Sequence, residues 1–197
     1  MPMSSIAAII VAAGSSSRLG QPKQLVLLDG EPMLQRAIRF ACQAGAAPVF
    51  VVLGAHRKIV GSRVDFGTAE IVVNNEWQEG LASSIRAGVR AAEHASSEES
   101  GLLLMLCDQP RVSAGHLRRM IQAFDEQPAG TTVASSYAGI RGTPAIFPRS
   151  AIADLCALHG DKGARGLLAR PSRIVVEVSL EGGEIDIDRP EDLKRIN

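Results

Sequence analysis

Apolar runs alternate with helical patterns along the first 125 residues. Uninterrupted runs of Val, Ile, Leu and Ala predict strands buried on both faces of a mostly parallel sheet, at Ile6–Ala13, Pro48–Leu53, Glu70–Val73 and Gly101–Cys107. Apolar residues at helical spacing predict helices at Met33–Ala44, at Leu81–Ala95 and after an N-cap at Ser113. This alternation predicts a layered α/β sheet with right-handed crossovers.

Beyond Gln127 the pattern is less regular. It predicts strands at Thr131–Ser136, Thr143–Phe147 and Ile174–Val178, an alternating segment at Glu184–Asp188, and short helices at Ser150–Leu158, at Gly163–Ala169 and from Pro190. The polar segment His94–Ser100 is expected to be an exposed loop. Because no linker or repeat interrupts the chain, we expect one domain spanning residues 1–197.

Composition narrows the classes of partner. The 197 residues include 21 Lys and Arg and 21 Asp and Glu, so the net charge is zero, and aromatic residues make up 4%. A neutral, aromatic-poor chain argues against a general binder of nucleic acid or of membrane surfaces. The Ile6–Ala13 run is far shorter than the roughly 20 residues of a membrane span and lacks a basic flank, so we expect a cytoplasmic protein. Three cysteines without metal-ligand spacing are expected to be buried thiols, and the four histidines show no ligand spacing.

The segment Val11–Lys23 directly follows the first predicted strand. Its small residues let backbone approach a ligand closely, and successive N–H groups can form an anion-binding nest to which Arg18 and Lys23 add positive charge. A phosphate site is the favoured interpretation, and a plain Gly/Ser turn with solvated cations is the alternative. The segment matches neither the P-loop nor the GxGxxG pattern, because position 16 is Ser and Gln21-Pro22 follows Gly20.

Three aspartates elsewhere in the chain are candidate metal ligands. Asp108 ends the strand of Leu and Met residues 102–106, where it could hold Mg²⁺ or could merely form a turn. Asp186 and Asp188 alternate with isoleucines, so in a strand both would share one face. The alternative is that they cap the terminal helix.

Six blocks in order resemble the MobA-like NTP transferases, and among these most closely the molybdenum cofactor cytidylyltransferases. The first is the Val11–Lys23 loop, with its Ala-Ala-Gly-x-Ser-x-Arg-Leu-Gly-x-x-Lys pattern. The others are Glu79–Gly88, Cys107–Pro110, Arg141–Phe147, Gly160–Arg165 and Asp186–Leu193. The resemblance spans nearly the whole chain, and all six blocks together are highly specific.

The resemblance implies a three-layer α/β/α, Rossmann-like nucleotidyltransferase fold (nucleotide-diphospho-sugar transferase-like) with a mostly parallel mixed sheet. Residues 1–125 would bind the nucleotide and residues 126–197 the acceptor. Catalytic roles fall on Arg18, Lys23 and Asp108. The implied nucleotide-binding residues are Ala12, Ala13, Gly14, Ser15, Ser17, Arg18, Lys23, Gly80, Leu81 and Ser84. The implied acceptor-binding residues are Gln109, Gly142, Pro144 and Arg165. Mg²⁺, or Mn²⁺ in its place, would bind Asp108 with Asp186 or Asp188, Asp186 being slightly favoured.

The implied reaction is attack of an acceptor phosphate on the α-phosphorus of an NTP, with release of pyrophosphate. Such a phosphate is largely ionised at pH 7, so no general base is required. Molybdopterin is the implied acceptor, and Ala13, where guanylyltransferase relatives carry Gly, favours CTP. A GTP-dependent guanylyltransferase is the first alternative. A non-catalytic protein that delivers molybdenum cofactor to a molybdoenzyme or its chaperone is the second.

Overall fold

The computed structural model describes residues 5–95 and 99–195. The strands in this part of the chain are β1 (Ile6–Ala12), β2 (Leu27–Leu28), β3 (Glu31–Pro32), β4 (Val49–Leu53), β5 (Glu70–Val73), β6 (Gly101–Leu106), β7 (Thr132–Tyr137), β8 (Ile140–Pro148) and β9 (Val175–Ser179). The α-helices are α1 (Met33–Ala44), α2 (Arg57–Gly61), α3 (Leu81–Ala95), α4 (Ala114–Asp125), α5 (Ile152–Cys156) and α6 (Arg165–Leu168). Short 3-10 turns lie at Lys23–Leu25, Trp77–Glu79, Arg149–Ala151 and Pro190–Arg195.

Seven strands form one mixed sheet in the order β5-β4-β1-β6-β8-β7-β9. The first four are mutually parallel, β8 runs antiparallel to both β6 and β7, and β9 pairs parallel with β7. Strands β2 and β3 form a separate antiparallel hairpin. Since parallel strands end at the same edge, the segments after β1, β4, β5 and β6 meet there, at the usual ligand-binding edge of such sheets.

Alternate residues of β1 enter two different cores. Ile6, Ala8 and Ile10 pack with α1 and α4 on one face of the sheet, whereas Ala7 and Ile9 pack with α3, α5 and α6 on the other. The predicted three-layer α/β/α architecture is therefore confirmed.

Strand β5 departs from the prediction of burial on both faces. It is the outermost strand, and Ile71 and Val73 remain 47% and 46% exposed. An apolar run does not reveal whether a strand lies at the edge of a sheet. The alternating segment at 184–188 does not form a strand, so the two aspartates do not share a strand face. It runs irregularly, and the N–H of Ile187 donates to the carbonyl of Asp108 at 3.1 Å.

Two smaller expectations also need correction. Only Cys107 is buried, whereas Cys156 is half-buried and Cys42 is exposed. The predicted loop His94–Ser100 lies partly outside the described residues, at 96–98, but Glu99 is buried rather than exposed. The Ser113 N-cap is confirmed, because its hydroxyl accepts from the N–H of His116. Within the described ranges, no helix is long and apolar enough to cross a membrane.

Candidate active site

The loop after β1 has a tightly held backbone. The carbonyl of Ser16 accepts from the N–H groups of Leu19 and Gly20 at 3.0 and 3.3 Å, and the Ser16 hydroxyl accepts from the N–H of Lys23 at 3.1 Å. Across the described residues, none of the backbone N–H groups from Gly14 to Arg18 donates to a protein acceptor. These N–H groups are therefore open to an external anion, as the nest predicted from the sequence requires.

Lys23 joins two carboxylates that lie far away in the sequence. Its ammonium Nζ donates to Oδ2 of Asp108 at 2.6 Å and to Oδ1 of Asp188 at 2.8 Å. Burial by itself would lower the pKa of Lys23, but the charge of Asp108 and the hydrogen bonds to both carboxylates outweigh burial and raise that pKa. Lys23 is therefore a fixed positive charge at the sheet edge. Arg18 lies on the open side, with Nη1 4.0 Å from Oδ2 of Asp188 and its side chain 71% exposed.

Asp108 has a carboxylate oxygen that could bind a cation. Oδ1 of Asp108 is buried and has no hydrogen-bond partner within the described parts of the chain. Asp188 is linked to Asp108 because both carboxylates accept from the Lys23 ammonium. No group of three or more His, Cys, Asp and Glu side chains capable of holding a metal ion occurs among residues 5–95 and 99–195. Mg²⁺ prefers oxygen ligands, so carboxylate oxygens at this edge together with phosphate oxygens would suit it.

Asp186 faces the same cluster. Desolvation of its carboxyl, followed by the negative charges of Asp108 and Asp188, raises the pKa of Asp186 to about 7. It differs from Asp188 in making no hydrogen bond to Lys23. Asp188 therefore shares the Lys23 ammonium with Asp108, whereas Asp186 acts on the cluster through its charge.

The Gly80 block lies against the segment predicted to bind the acceptor. Gly80 has a φ of +119°, and a Cβ there would lie 2.4 Å from Oδ1 of Asp161, so only glycine fits. The N–H of Ala82 donates to the carbonyl of Gly160 at 3.0 Å. Leu81 is half-buried against Gly163. The segment predicted to bind the nucleotide and the segment predicted to bind the acceptor are therefore in direct contact.

Ser84, which was predicted to bind the nucleotide, is buried. Its hydroxyl accepts from Nδ2 of Asn74 at 3.0 Å, and the same amide donates to Ser83 at 2.9 Å. Oδ1 of Asn74 accepts from the N–H of Glu76 at 2.9 Å. Asn74 therefore fixes the connection between β5 and α3, a role that sequence reasoning missed because no local pattern marks it.

A cleft of about 440 Å³ lies beside the first loop, between the segments that follow β4 and β5. His56, Arg57, Asn75 and Trp77 contribute to its walls. Ala13 was predicted to bind the nucleotide, but its side chain is 2% exposed and packs in the core beneath α3.

Three of the predicted acceptor-binding residues are buried and do not form an open binding surface. Gln109 is 7% exposed and donates through Nε2 to the carbonyl of Thr143 at 2.9 Å. Gly142 is buried and packs against Tyr137 so closely that an added Cβ would lie 2.1 Å from the Tyr137 hydroxyl oxygen. Pro144 is buried in β8. Their position favours a supporting role for these residues.

Arg165, the fourth predicted acceptor residue, is exposed at the start of α6. It lines a second cleft, of about 420 Å³, together with Arg141 and Glu177. Nε of Arg141 donates to Glu177 at 2.7 Å. This cleft opens beside the β7–β8 turn and has two arginines and one glutamate in its lining.

Comparison with known proteins gives a consistent family. The model of the MobA-like NTP transferase domain matches residues 8–175. Nicotine blue oxidoreductase of Paenarthrobacter nicotinovorans is 30% identical over 97% of this chain and 96% of its own. A probable molybdenum cofactor guanylyltransferase of Opitutus terrae is 28% identical over 98% of this chain and 95% of its own.

A solved structure matches the whole chain. Rv0371c from Mycobacterium tuberculosis H37Rv superposes with a TM-score of 0.86 at 32% identity, covering 100% of this chain and 98% of that one. The complex of Rv0371c with manganese has a TM-score of 0.81 at 29% identity, covering 98% and 97% of the two chains.

Proposed function

This chain belongs to the MobA-like NTP transferase family, and from that membership we propose a specific reaction for it. It transfers a nucleoside monophosphate from an NTP, with CTP as the favoured donor, to a phosphorylated acceptor of the molybdopterin type. The observation that carries the proposal is the position of Lys23. It lies between Asp108 and Asp188 and beside a loop whose N–H groups are open.

The proposed chemistry is a single displacement. An oxygen of the acceptor phosphate forms a bond to the α-phosphorus of the NTP. The bond from that phosphorus to the bridging oxygen breaks, and pyrophosphate leaves with the electron pair. Such transfer depends on positioning and on neutralisation of charge rather than on covalent help from the protein.

The residues divide this work by charge. We assign the N–H groups of the first loop, Arg18 and Lys23 to the departing pyrophosphate, because these are the positive groups at the end of β1. Asp108 and Asp188 would hold Mg²⁺ or Mn²⁺, which neutralises phosphate charge when bound. We favour Asp188 over Asp186 as the second ligand, since Asp188 is bonded to the same ammonium as Asp108.

The acceptor would enter from the side of Arg165. Arg165 and Arg141 offer guanidinium groups suited to a second anionic group of the acceptor. Gln109 would support the acceptor side through its hydrogen bond to the Thr143 carbonyl, and Pro144 through its buried position in β8. CTP is favoured because guanylyltransferase relatives carry Gly at the position of Ala13, whose side chain here packs into the core. The relative named as a guanylyltransferase keeps GTP as the alternative donor.

One assay tests the proposal and its alternatives. The protein is incubated with Mg²⁺ or Mn²⁺, molybdopterin and each of the four NTPs, and pyrophosphate and dinucleotide products are measured. We expect turnover with CTP. Asp108→Asn should lower turnover at least about 100-fold. Asp29→Asn is the matched control, because Asp29 is an exposed aspartate paired with Arg36.

The other outcomes separate the alternatives. A preference for GTP would establish the guanylyltransferase. Binding of molybdopterin without pyrophosphate release from any NTP would support the delivery protein instead. If the protein bound no triphosphate, the transferase proposal would be wrong, and the relative named as an oxidoreductase would be the better guide.

A further inference from the structure

We propose that Gln24 is a positioning residue of the polyphosphate site. Its side-chain amide fixes the carbonyl groups of Ala12 and Gly14, so that N–H groups of the first loop face the ligand. The inference rests on the proposed function in one respect, that the ligand is the polyphosphate of an NTP. Gln24 lies in the turn Lys23–Leu25, is 1% exposed and directly follows Lys23.

The carbonyl groups of the loop are held by protein donors. Nε2 of Gln24 donates to the carbonyl of Ala12 at 2.6 Å and to that of Gly14 at 3.3 Å. The carbonyl of Ala13 accepts from the N–H of Ala55 at 3.0 Å, and the carbonyl of Ser15 accepts from Nε2 of His56 at 2.7 Å. The carbonyl of Ser16 accepts from the N–H of Leu19 at 3.0 Å. Five consecutive carbonyl groups therefore face the protein.

Peptide geometry links these carbonyls to the open N–H groups. In a planar trans peptide, the C=O of one residue and the N–H of the next point in opposite directions. Holding the carbonyl of Gly14 therefore aims the N–H of Ser15 away from Gln24. Gly14 has no side chain to restrict its dihedral angles, so without Gln24 this peptide could rotate and offer its carbonyl to the phosphate instead.

The orientation of the Gln24 amide is determined by its partners. Both partners are carbonyl oxygens, so the NH₂ group must face them and Oε1 must face away. Oε1 is buried and has no hydrogen-bond partner within residues 5–95 and 99–195. An unpaired buried amide oxygen is unfavourable, and an apolar side chain of the same length would avoid that penalty. The two donated bonds are what distinguishes Gln from such a side chain at this position.

Pyrophosphate binding tests the proposal without requiring turnover. Gln24→Met keeps the length of the side chain but removes both donors. We expect its Kd for pyrophosphate in the presence of Mg²⁺, measured by calorimetry, to rise about 10-fold, and its KM for the NTP to rise similarly. The KM for the acceptor should not change, because Gln24 lies on the nucleotide side. Gln122→Met is the matched control, since Gln122 is an exposed residue of α4 whose side chain donates to Glu126.

The outcomes separate this proposal from the proposed function. If the wild-type protein binds neither pyrophosphate nor any NTP, the transferase assignment fails. If it binds them and Gln24→Met binds them equally well, the role of Gln24 is refuted. Should the variant fold poorly, NMR of the wild type decides. The side-chain amide protons of Gln24 must exchange slowly, and the N–H signal of Ser15 must shift with pyrophosphate. Exchange as fast as that of an exposed glutamine would overturn the proposal.

Discussion

Acidification should destabilise the protein through His116. This side chain is 1% exposed, and its Nε2 lies 2.8 Å from the hydroxyl of Ser135. That hydroxyl donates to the carbonyl of Pro144 at 2.8 Å, so Nε2 must carry the proton. Nη2 of Arg119 donates to Nδ1 at 3.3 Å. A second proton on His116 would remove that bond and place two positive charges together.

The magnitude follows from the pKa. Burial, with a smaller contribution from the charge of Arg119, lowers the pKa of His116 from 6.5 to about 4. Between these values His116 binds a proton in the unfolded chain but not in the folded protein, so its contribution to stability falls as the pH drops from 6.5 towards 4 and levels off below. The lowering of the pKa corresponds to roughly 3 kcal/mol of unfolding free energy.

Urea unfolding of the wild type and of His116→Gln, followed by circular dichroism between pH 4 and 7, measures this contribution. Glutamine can donate to Ser135 and accept from Arg119 but does not titrate. We expect the difference in unfolding free energy between the two proteins to change by roughly 3 kcal/mol across this range. His94→Gln, at an exposed position on α3, should leave the wild-type dependence intact. A difference that stays constant with pH would refute the reasoning.

Three further outcomes follow from the geometry. Lys23→Met leaves the carboxylates of the cluster without their cation and should lower kcat/KM at least about 100-fold in the transferase assay; near-normal turnover would contradict its role. Gly142→Ala should cost about 1–3 kcal/mol in urea unfolding, because its methyl group would overlap Tyr137, and combination with Tyr137→Ala should cost less than the sum of the two changes. A thiol reagent should modify exposed Cys42 in the native protein but Cys107 only after unfolding, since burial raises the pKa of the Cys107 thiol to about 12. Equal native labelling rates would show that Cys107 is accessible.

Local patterns predicted much of the fold. Helices α1 and α3 have the bounds that the sequence predicted, because their apolar residues recur at helical spacing. Strands β1 and β6 were recognisable as uninterrupted apolar runs, since both of their faces are buried. The loop after β1 was also recognisable as a candidate phosphate site, because small residues and two nearby cations are properties of one short segment.

The sequence by itself thus determined the elements, their order and the types of residue at the end of each strand. Only the tertiary structure decided which of these residues meet. Lys23 lies 85 positions from Asp108 and 165 from Asp188, and no local pattern could select Asp188 over Asp186. The role of Gln24 could not be predicted either, because it depends on two carbonyl groups that meet its side-chain amide only in the folded chain. Periodicity records which face of a segment is buried, whereas a site is formed by contacts between segments.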